Sequence, residues 1–335
     1  MNSDESVRPD NRKKNDFFSF RLRLWGLLTA AGAIAAAASA AGFWGQFAWW
    51  LDIGSHFRVQ YALGFAALAL CYFVGGKKRW AVAALCVCLL NAAPIVAFLL
   101  PPARVPASHE DALRAILVNV NTQTGDPLKI ISLIERENPD IVVLEEIDDE
   151  WVKSLGPLIE KYALRMIEPR QDNFGIALLS RGETKSAKVE FFGSAKVPSI
   201  VATVLLNNRP LTLIATHPLP PAGPLYSALR NEQLEQLGRS IRTLDGPVLL
   251  LGDLNVTPWS YYYRAFIRTS GLINSSRGRG IYPTWPTFAP PLSVPIDYAL
   301  HTDDLVTLQK RVGPNVGSDH YPLLIDFAFR ELEKE

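Results

Sequence analysis

The sequence predicts an α/β domain carried behind three apolar helices, and three observations predict it. Three long stretches in the first hundred residues hold no charged side chain. Beyond them, runs of four or more apolar residues, too short to cross a bilayer, end abruptly in polar side chains, as strands buried on both faces do. Two of these runs flank a segment with helical spacing, so strand, helix and strand follow one another.

The two parts differ in charge as well as composition. Residues 1–110 hold 11 Lys and Arg against 6 Asp and Glu, whereas residues 111–335 hold 23 against 27. The charge-free runs are Leu24–Leu51, Val59–Gly76 and Trp80–Ala103. Each is long enough to cross about 30 Å of hydrocarbon as a helix, the second only just. Gly32, Ser39 and Gly42 allow close packing of the first helix, and Pro94 is expected to kink the third, with Asn91 satisfying a freed backbone group. Basic clusters (Arg12, Lys13, Lys14, Arg21, Arg23; then Lys77, Lys78, Arg79) flank the first span and separate the second from the third, which places both flanks in the cytoplasm. Three crossings then leave everything after residue 104 outside it, in the periplasm if the cell is bacterial. All three cysteines, Cys71, Cys86 and Cys88, fall within the apolar runs. No disulfide is therefore expected in the remainder, which is large enough to bury its own core.

The chain thus divides into a basic tail (1–23), three membrane helices (24–103), a Pro-rich linker (104–112) and a folded domain (113–335). In that domain, 115–121 reads as a strand ending in Asn119 and Asn121. Residues 127–138 read as a helix with Leu128, Ile131 and Ile134 on its buried face, and 141–144 as a strand closed by Glu145-Glu146. A helix from Trp151 follows. Residues 172–181 read as a loop entering a strand, and 188–192, 200–206 and 211–217 as strands, with a hairpin turn at Asn207-Asn208 and His217 at the end of the last. An amphipathic helix from Ser227 to Leu244 leads into Pro247–Gly252, the most apolar strand, which opens into Asp253-Leu254-Asn255. There Gly252 is expected to turn the backbone, and Asp253 and Asn255, two apart in extended chain, to point to one side. Tyr261 to Phe266 begin a helix packed on the core. Thr284–Thr287 reads as one wall of a cleft, Pro295–Leu300 as a strand carrying Asp297, and Leu323–Phe329 as the last strand, after the loop Ser318-Asp319-His320.

Each polar residue is unremarkable alone. Together, as G-D-L-N at 252–255, I-D-Y at 296–298 and S-D-H at 318–320, with Asn119, Glu146 and His217 upstream, they resemble the endonuclease/exonuclease/phosphatase (DNase I-like) superfamily over residues 113–328. The resemblance implies a four-layered α/β sandwich with two packed mixed β-sheets and a cleft binding Mg²⁺ or Mn²⁺. It implies Asn119, Glu146 and Asp319 around the metal and Asp253 as the group that orients or deprotonates the attacking water. Asn255 and His217 match donors to phosphoryl oxygens, and Asp297 and His320 a carboxylate–histidine pair. Such a set suits phosphoester hydrolysis, in which a hard cation and donors offset charge that grows in the transition state. Many relatives have Gln-Glu where this chain has Glu145-Glu146, and some have an acidic residue where it has Asn121.

The expected protein is a membrane-anchored, extracytoplasmic phosphodiesterase acting on nucleic acid or a phospholipid headgroup, its partners being that substrate and the bilayer, with no protein partner implied. The alternative is a non-catalytic phosphate-ligand-binding module on the same fold. A net acidic domain lacks the basic footprint usual for nucleic acid.

Overall fold

The computed structural model describes residues 20–100 and 111–331. The basic tail, except its last residues, and the Pro-rich linker up to residue 110 lie outside the described residues. The first apolar run forms α1 (Phe20–Ala41), and after a short 3₁₀ turn α2 (Trp49–Ile53) follows. The second forms α3 (Arg58–Val74), and the third α4 (Lys78–Ala92) and α5 (Val96–Leu99). One helix, Leu24–Trp44, is long and apolar enough to cross a membrane by itself, where three were expected. Gly75-Gly76 ends α3 at 17 residues, and the turn around Pro94, which cannot donate a backbone hydrogen bond, ends α4 at 15.

Helices α1, α3 and α4 pack around Phe65, Tyr72, Ala81 and Ala84. A Cβ on Gly32 would meet Leu68 at 2.8 Å, and one on Gly42 the backbone of Ser55 at 2.5 Å, so the small residues do permit close approach. Asn91 has a different part from the one expected. Its Nδ2 donates to the Val87 carbonyl, while its Oδ1 accepts from Ser39 (2.8 Å) and Arg58 (2.9 Å), tying three helices together.

The rest folds as two six-stranded sheets. In chain order come β1 (Leu113–Asn119), α6 (Pro127–Glu137), β2 (Ile141–Glu145), α7 (Asp149–Ile159), β3 (Leu164–Glu168), β4 (Ile176–Ser180), β5 (Glu183–Phe191), β6 (Pro198–Leu206) and β7 (Arg209–Thr216). Then follow α8 (Pro224–Arg242), β8 (Val248–Asp253), α9 (Tyr261–Ser270), β9 (Ile273–Asn274), β10 (Asp297–His301), β11 (Leu305–Val312) and β12 (Leu323–Phe329). The sheet orders are β11-β12-β1-β2-β4-β3 and β5-β6-β7-β8-β10-β9. In each, one parallel pair, β1–β2 or β7–β8, is joined by a helix, and the remaining pairs are antiparallel.

Alternation explains why these strands read as unbroken apolar runs. Along β1, Ala115 and Leu117 face the other sheet, whereas Ile116 and Val118 pack under α6 and α7. Along β8, Leu249 and Leu251 face inward and Val248 and Leu250 meet α8 and α9. Helix, sheet, sheet and helix therefore stack in four layers. On α6 the buried face is Ile130, Leu133 and Ile134, while Leu128 is 78% exposed, because the helix sits rotated from the face the sequence suggested. Tyr263 of α9 is buried and stacked on Tyr298 in the core, whereas Tyr261 and Tyr262 are half-buried.

Candidate active site

Parallel strands joined by a helix both point their C-terminal ends the same way, and ligands bind where such ends meet. Here the ends of β1, β2, β7 and β8 converge from both sheets. They deliver Asn119, Glu146, His217 and Asp253 to one place. Asp297, at the start of β10, is the register partner of Asp253 across an antiparallel pair, which puts the two carboxylates on the same side. The loop carrying Asp319 and His320 is pinned to the end of β1 by Ser318, whose hydroxyl donates to the Asn119 carbonyl at 2.8 Å and accepts from the His320 N–H at 3.0 Å. All eight predicted residues thus meet at one edge of the sandwich. Around most of them opens a cleft of about 570 Å³.

The chain at 252–255 reaches the cleft by a different route from the one expected. Gly252 belongs to β8 and makes no turn; a Cβ there would meet the Thr216 carbonyl at 1.9 Å, so glycine is required by close approach of the two parallel strands. Asn255 is left-handed, with φ 52°, and its N–H donates to Asp253 Oδ1 at 2.7 Å. An Asx turn, not extended chain, brings both side chains to the cleft. Asn255 Nδ2 donates to the Pro218 carbonyl at 2.9 Å.

Glu146 is also left-handed, with φ 61°. Asparagine tolerates that region, but glutamate rarely enters it, and such conformations gather at functional sites. The twist separates the two glutamates after β2. Glu145 is buried and accepts the Asp253 N–H at 3.1 Å, bracing β8 against β2. Glu146 lines the cleft and accepts from Asn119 Nδ2 at 2.9 Å. Burial raises the pKa of both, most for Glu145, and nearby carboxylates add to this.

The histidines differ in charge state. Burial opposes a cation at His320, but Asp297, 3.0 Å from Nδ1, together with Asp253 and Asp319 outweighs it and pushes the pKa up to about 10. Burial, with repulsion from His320, drives His217 down to about 3, so this imidazole is neutral. Its Nδ1 is buried without a partner. Asp253 Oδ2 lies 3.8 Å from Nε2 of each histidine, and burial with the neighbouring Asp297 raises its pKa well above the carboxylate range. A carboxylate flanked by one neutral and one cationic imidazole can receive a proton while the imidazoles face an anion.

A divalent cation fits this chemistry. Glu146 and Asp319 offer hard carboxylate oxygens beside the Asn119 amide. Asp319 is held by donors from Asn121 (2.7 Å) and Trp285 (3.0 Å), neither of which the sequence singled out as such. Among the described residues, the compact trio with donor atoms within 4.8 Å of one another is Asp253, Asp297 and His320. Glu146 and Asp319 stand outside that trio. Sequence reasoning missed Phe174, whose ring lies 5.5 Å from that of His217, and a set of residues from the N-terminal helices. Nothing in their local sequence marked either.

Comparison with known proteins agrees with the fold. An endonuclease/exonuclease/phosphatase from Beutenbergia cavernae is 20% identical with TM-score 0.55, covering 66% of this chain and 72% of that one. The human Nocturnin catalytic domain with bound sulfate is 19% identical with TM-score 0.53, covering 68% and 100%. A Neisseria 3′ phosphatase, NExo, bound to a product DNA hairpin is 19% identical with TM-score 0.54, covering 65% and 100%. At these identities the likeness is one of fold. The sequence model of the Endonuclease/Exonuclease/phosphatase family matches residues 116–320, more than half of the chain. The chain therefore belongs to that family, whose members are hydrolases of phosphoester bonds.

Proposed function

We propose that this hydrolase is a membrane-anchored, extracytoplasmic, divalent-metal-dependent phosphodiesterase. The observation that carries the reaction is the grouping of Asp253 with His217 and the Asp297–His320 pair beside Glu146 and Asp319. A water molecule attacks phosphorus, Asp253 accepts its proton, and the phosphorus–oxygen bond to the leaving group breaks. His320, kept cationic by Asp297, and the neutral donors His217 and Asn255 face the phosphoryl oxygens and offset their growing charge. A cation, Mg²⁺ or Mn²⁺, held by Glu146 and Asp319 with Asn119 at their side, supplies Lewis-acid stabilisation when bound. A binding module that merely retained the fold has no need of the full set.

His320→Ala tests the assignment. Turnover of an aryl phosphodiester by the full chain with Mg²⁺ is expected to fall about 10²-fold or more, since a charge-stabilising donor is lost. Unchanged turnover contradicts it.

One feature favours a membrane anchor of three passes over a single one, and a second agrees with the orientation under either. The outer surfaces of α3 and α4 expose Leu63 (68%), Phe73 (66%), Val82 (61%) and Leu89 (60%), an apolar exterior unsuited to water. The loop between α1 and α3 packs on the catalytic domain, which requires both to lie on one side of the membrane; the positive-inside orientation assigns them the same side. A periplasmic-type reporter fused after Glu335 is expected to be active outside the cytoplasm. Activity inside overturns the orientation.

A further inference from the structure

The loop joining α1 to α3 does more than touch the domain. Asp52 is buried and accepts from the Ser260 hydroxyl at 2.8 Å and the Tyr261 N–H at 3.2 Å, sitting at the N-terminus of α9. It also lies 3.6 Å from the buried Arg230, whose other nitrogen donates to the Asn255 carbonyl at 2.9 Å. One guanidinium therefore joins the anchor to the G-D-L-N turn. His56 is buried too. Its Nδ1 accepts from the Thr257 N–H at 3.3 Å, which leaves the proton of the neutral ring on Nε2, and Nε2 has no partner. The Trp259 indole donates to the His56 carbonyl at 3.1 Å. Held in this way, Ile53, His56 and Phe57 line the same cleft as Asp253 and His320.

The rest of that cleft is as informative. Away from the reacting groups its walls are mostly apolar, with Phe174, Pro220, Pro221, Tyr226, Val294 and Ile296 against Asp172 and Asn173 at one side, and among the described residues no Lys or Arg lines it. A polymer with a phosphate every few ångströms is bound by rows of basic side chains, and among the described residues no such row lines this cleft; the nearby Arg170 is paired with Asp172. Phe57 immediately precedes the first residue of α3, and the exposed Phe47 (71%) and Trp50 (61%) flank the loop on the other side, Trp50 being of the amphipathic type that suits a membrane interface. The apolar wall is thus continuous with the N-terminal helices, and with those helices in a bilayer as proposed above it would lie near the lipid headgroups.

Building on the phosphodiesterase reading above, we propose that the loop 52–57 is part of the active site and selects the phosphoester of a membrane lipid, its apolar chain lying along Ile53 and Phe57 and a headgroup polar atom accepting from His56 Nε2. The anchor then acts as a substrate-binding element, and the phosphorus is delivered to Asp253 from the bilayer side.

The test uses the full chain in nanodiscs with Mg²⁺ and a series of phosphodiesters sharing one aryl leaving group, with alkyl chains of increasing length, beside single-stranded DNA and RNA oligonucleotides. For the unaltered protein, kcat/KM is expected to rise at least tenfold from the shortest to the longest chain and to exceed that on either oligonucleotide. Phe57→Ala is expected to remove most of that rise. Partitioning into the disc acts on both proteins alike, and a partly unfolded sample lowers every member of the series together, so the ratio isolates the wall. A ratio unchanged by Phe57→Ala, or an oligonucleotide as the better substrate, overturns the proposal while leaving the phosphodiesterase reading standing. No turnover of any ester, the shortest aryl diester included, overturns both.

Discussion

Asp253→Asn is expected to lower kcat on any phosphodiester substrate by about 10³-fold, roughly 4 kcal/mol of transition-state stabilisation. The amide keeps the shape and can still accept the Asn255 N–H that Asp253 Oδ1 takes at 2.7 Å, so the turn at 252–255 should persist. What it loses is the capacity to take a proton from water. KM should change little, because Asp253 acts on the attacking water and not on substrate held in the ground state. The change also relieves the crowding of buried carboxylates that raises the pKa of Asp253, so the variant should be no less stable, and denaturant unfolding of the two proteins checks this. A variant that unfolds at lower denaturant while keeping its turnover contradicts the assigned role.

The second large effect concerns the metal. Chelation is expected to abolish turnover, and Mg²⁺ or Mn²⁺ to restore it. Glu146→Gln should raise the metal concentration needed for half-maximal activity by about 10²-fold or more, since a neutral amide oxygen replaces an anionic one facing a hard cation. Glu146 is held by a left-handed backbone and by Asn119, and the glutamine can keep the Asn119 hydrogen bond, so its effect reads out charge rather than position. Glu145→Gln serves as the contrast. Its carboxylate is turned inward onto the Asp253 N–H, so it should alter stability more than metal affinity. Isothermal titration with Mn²⁺ measures both. Equal metal affinity in Glu146→Gln and the unaltered protein would remove Glu146 from the metal site.

What was legible in the sequence follows from period and chemistry. Apolar runs such as Leu249–Leu251 announce strands buried on both faces, and both strand–helix–strand units could be read because helical spacing separates the runs. The site residues were legible because most of them stand at or next to strand ends, where a chain leaving a core turns polar. Conformation at those junctions was not. A left-handed Glu146 and a glycine demanded by the Thr216 carbonyl depend on neighbours distant in sequence, and Gly252 in isolation reads as a turn. The rotation of α6, which buries Ile130 and exposes Leu128, depends likewise on what it packs against.

The N-terminal helices mark the other limit. Uncharged length identified three apolar segments, but helix ends set by Gly75-Gly76 and Pro94 shortened two of them. Nothing local showed that Asp52 would meet Arg230, 178 positions later, or that His56 would meet Thr257. These contacts join two segments each of which reads as complete by itself, one a set of apolar helices and the other an enzyme domain.

The most direct measurement of the central claim is hydrolysis by the full chain, with Mg²⁺, of a panel holding DNA, RNA, sphingomyelin, phosphatidylinositol phosphates and an aryl phosphodiester, each beside Asp253→Ala. Turnover that needs the metal and vanishes in the variant is the predicted result. A folded, metal-binding protein that hydrolyses none of them, or does so equally well without Asp253, would contradict it.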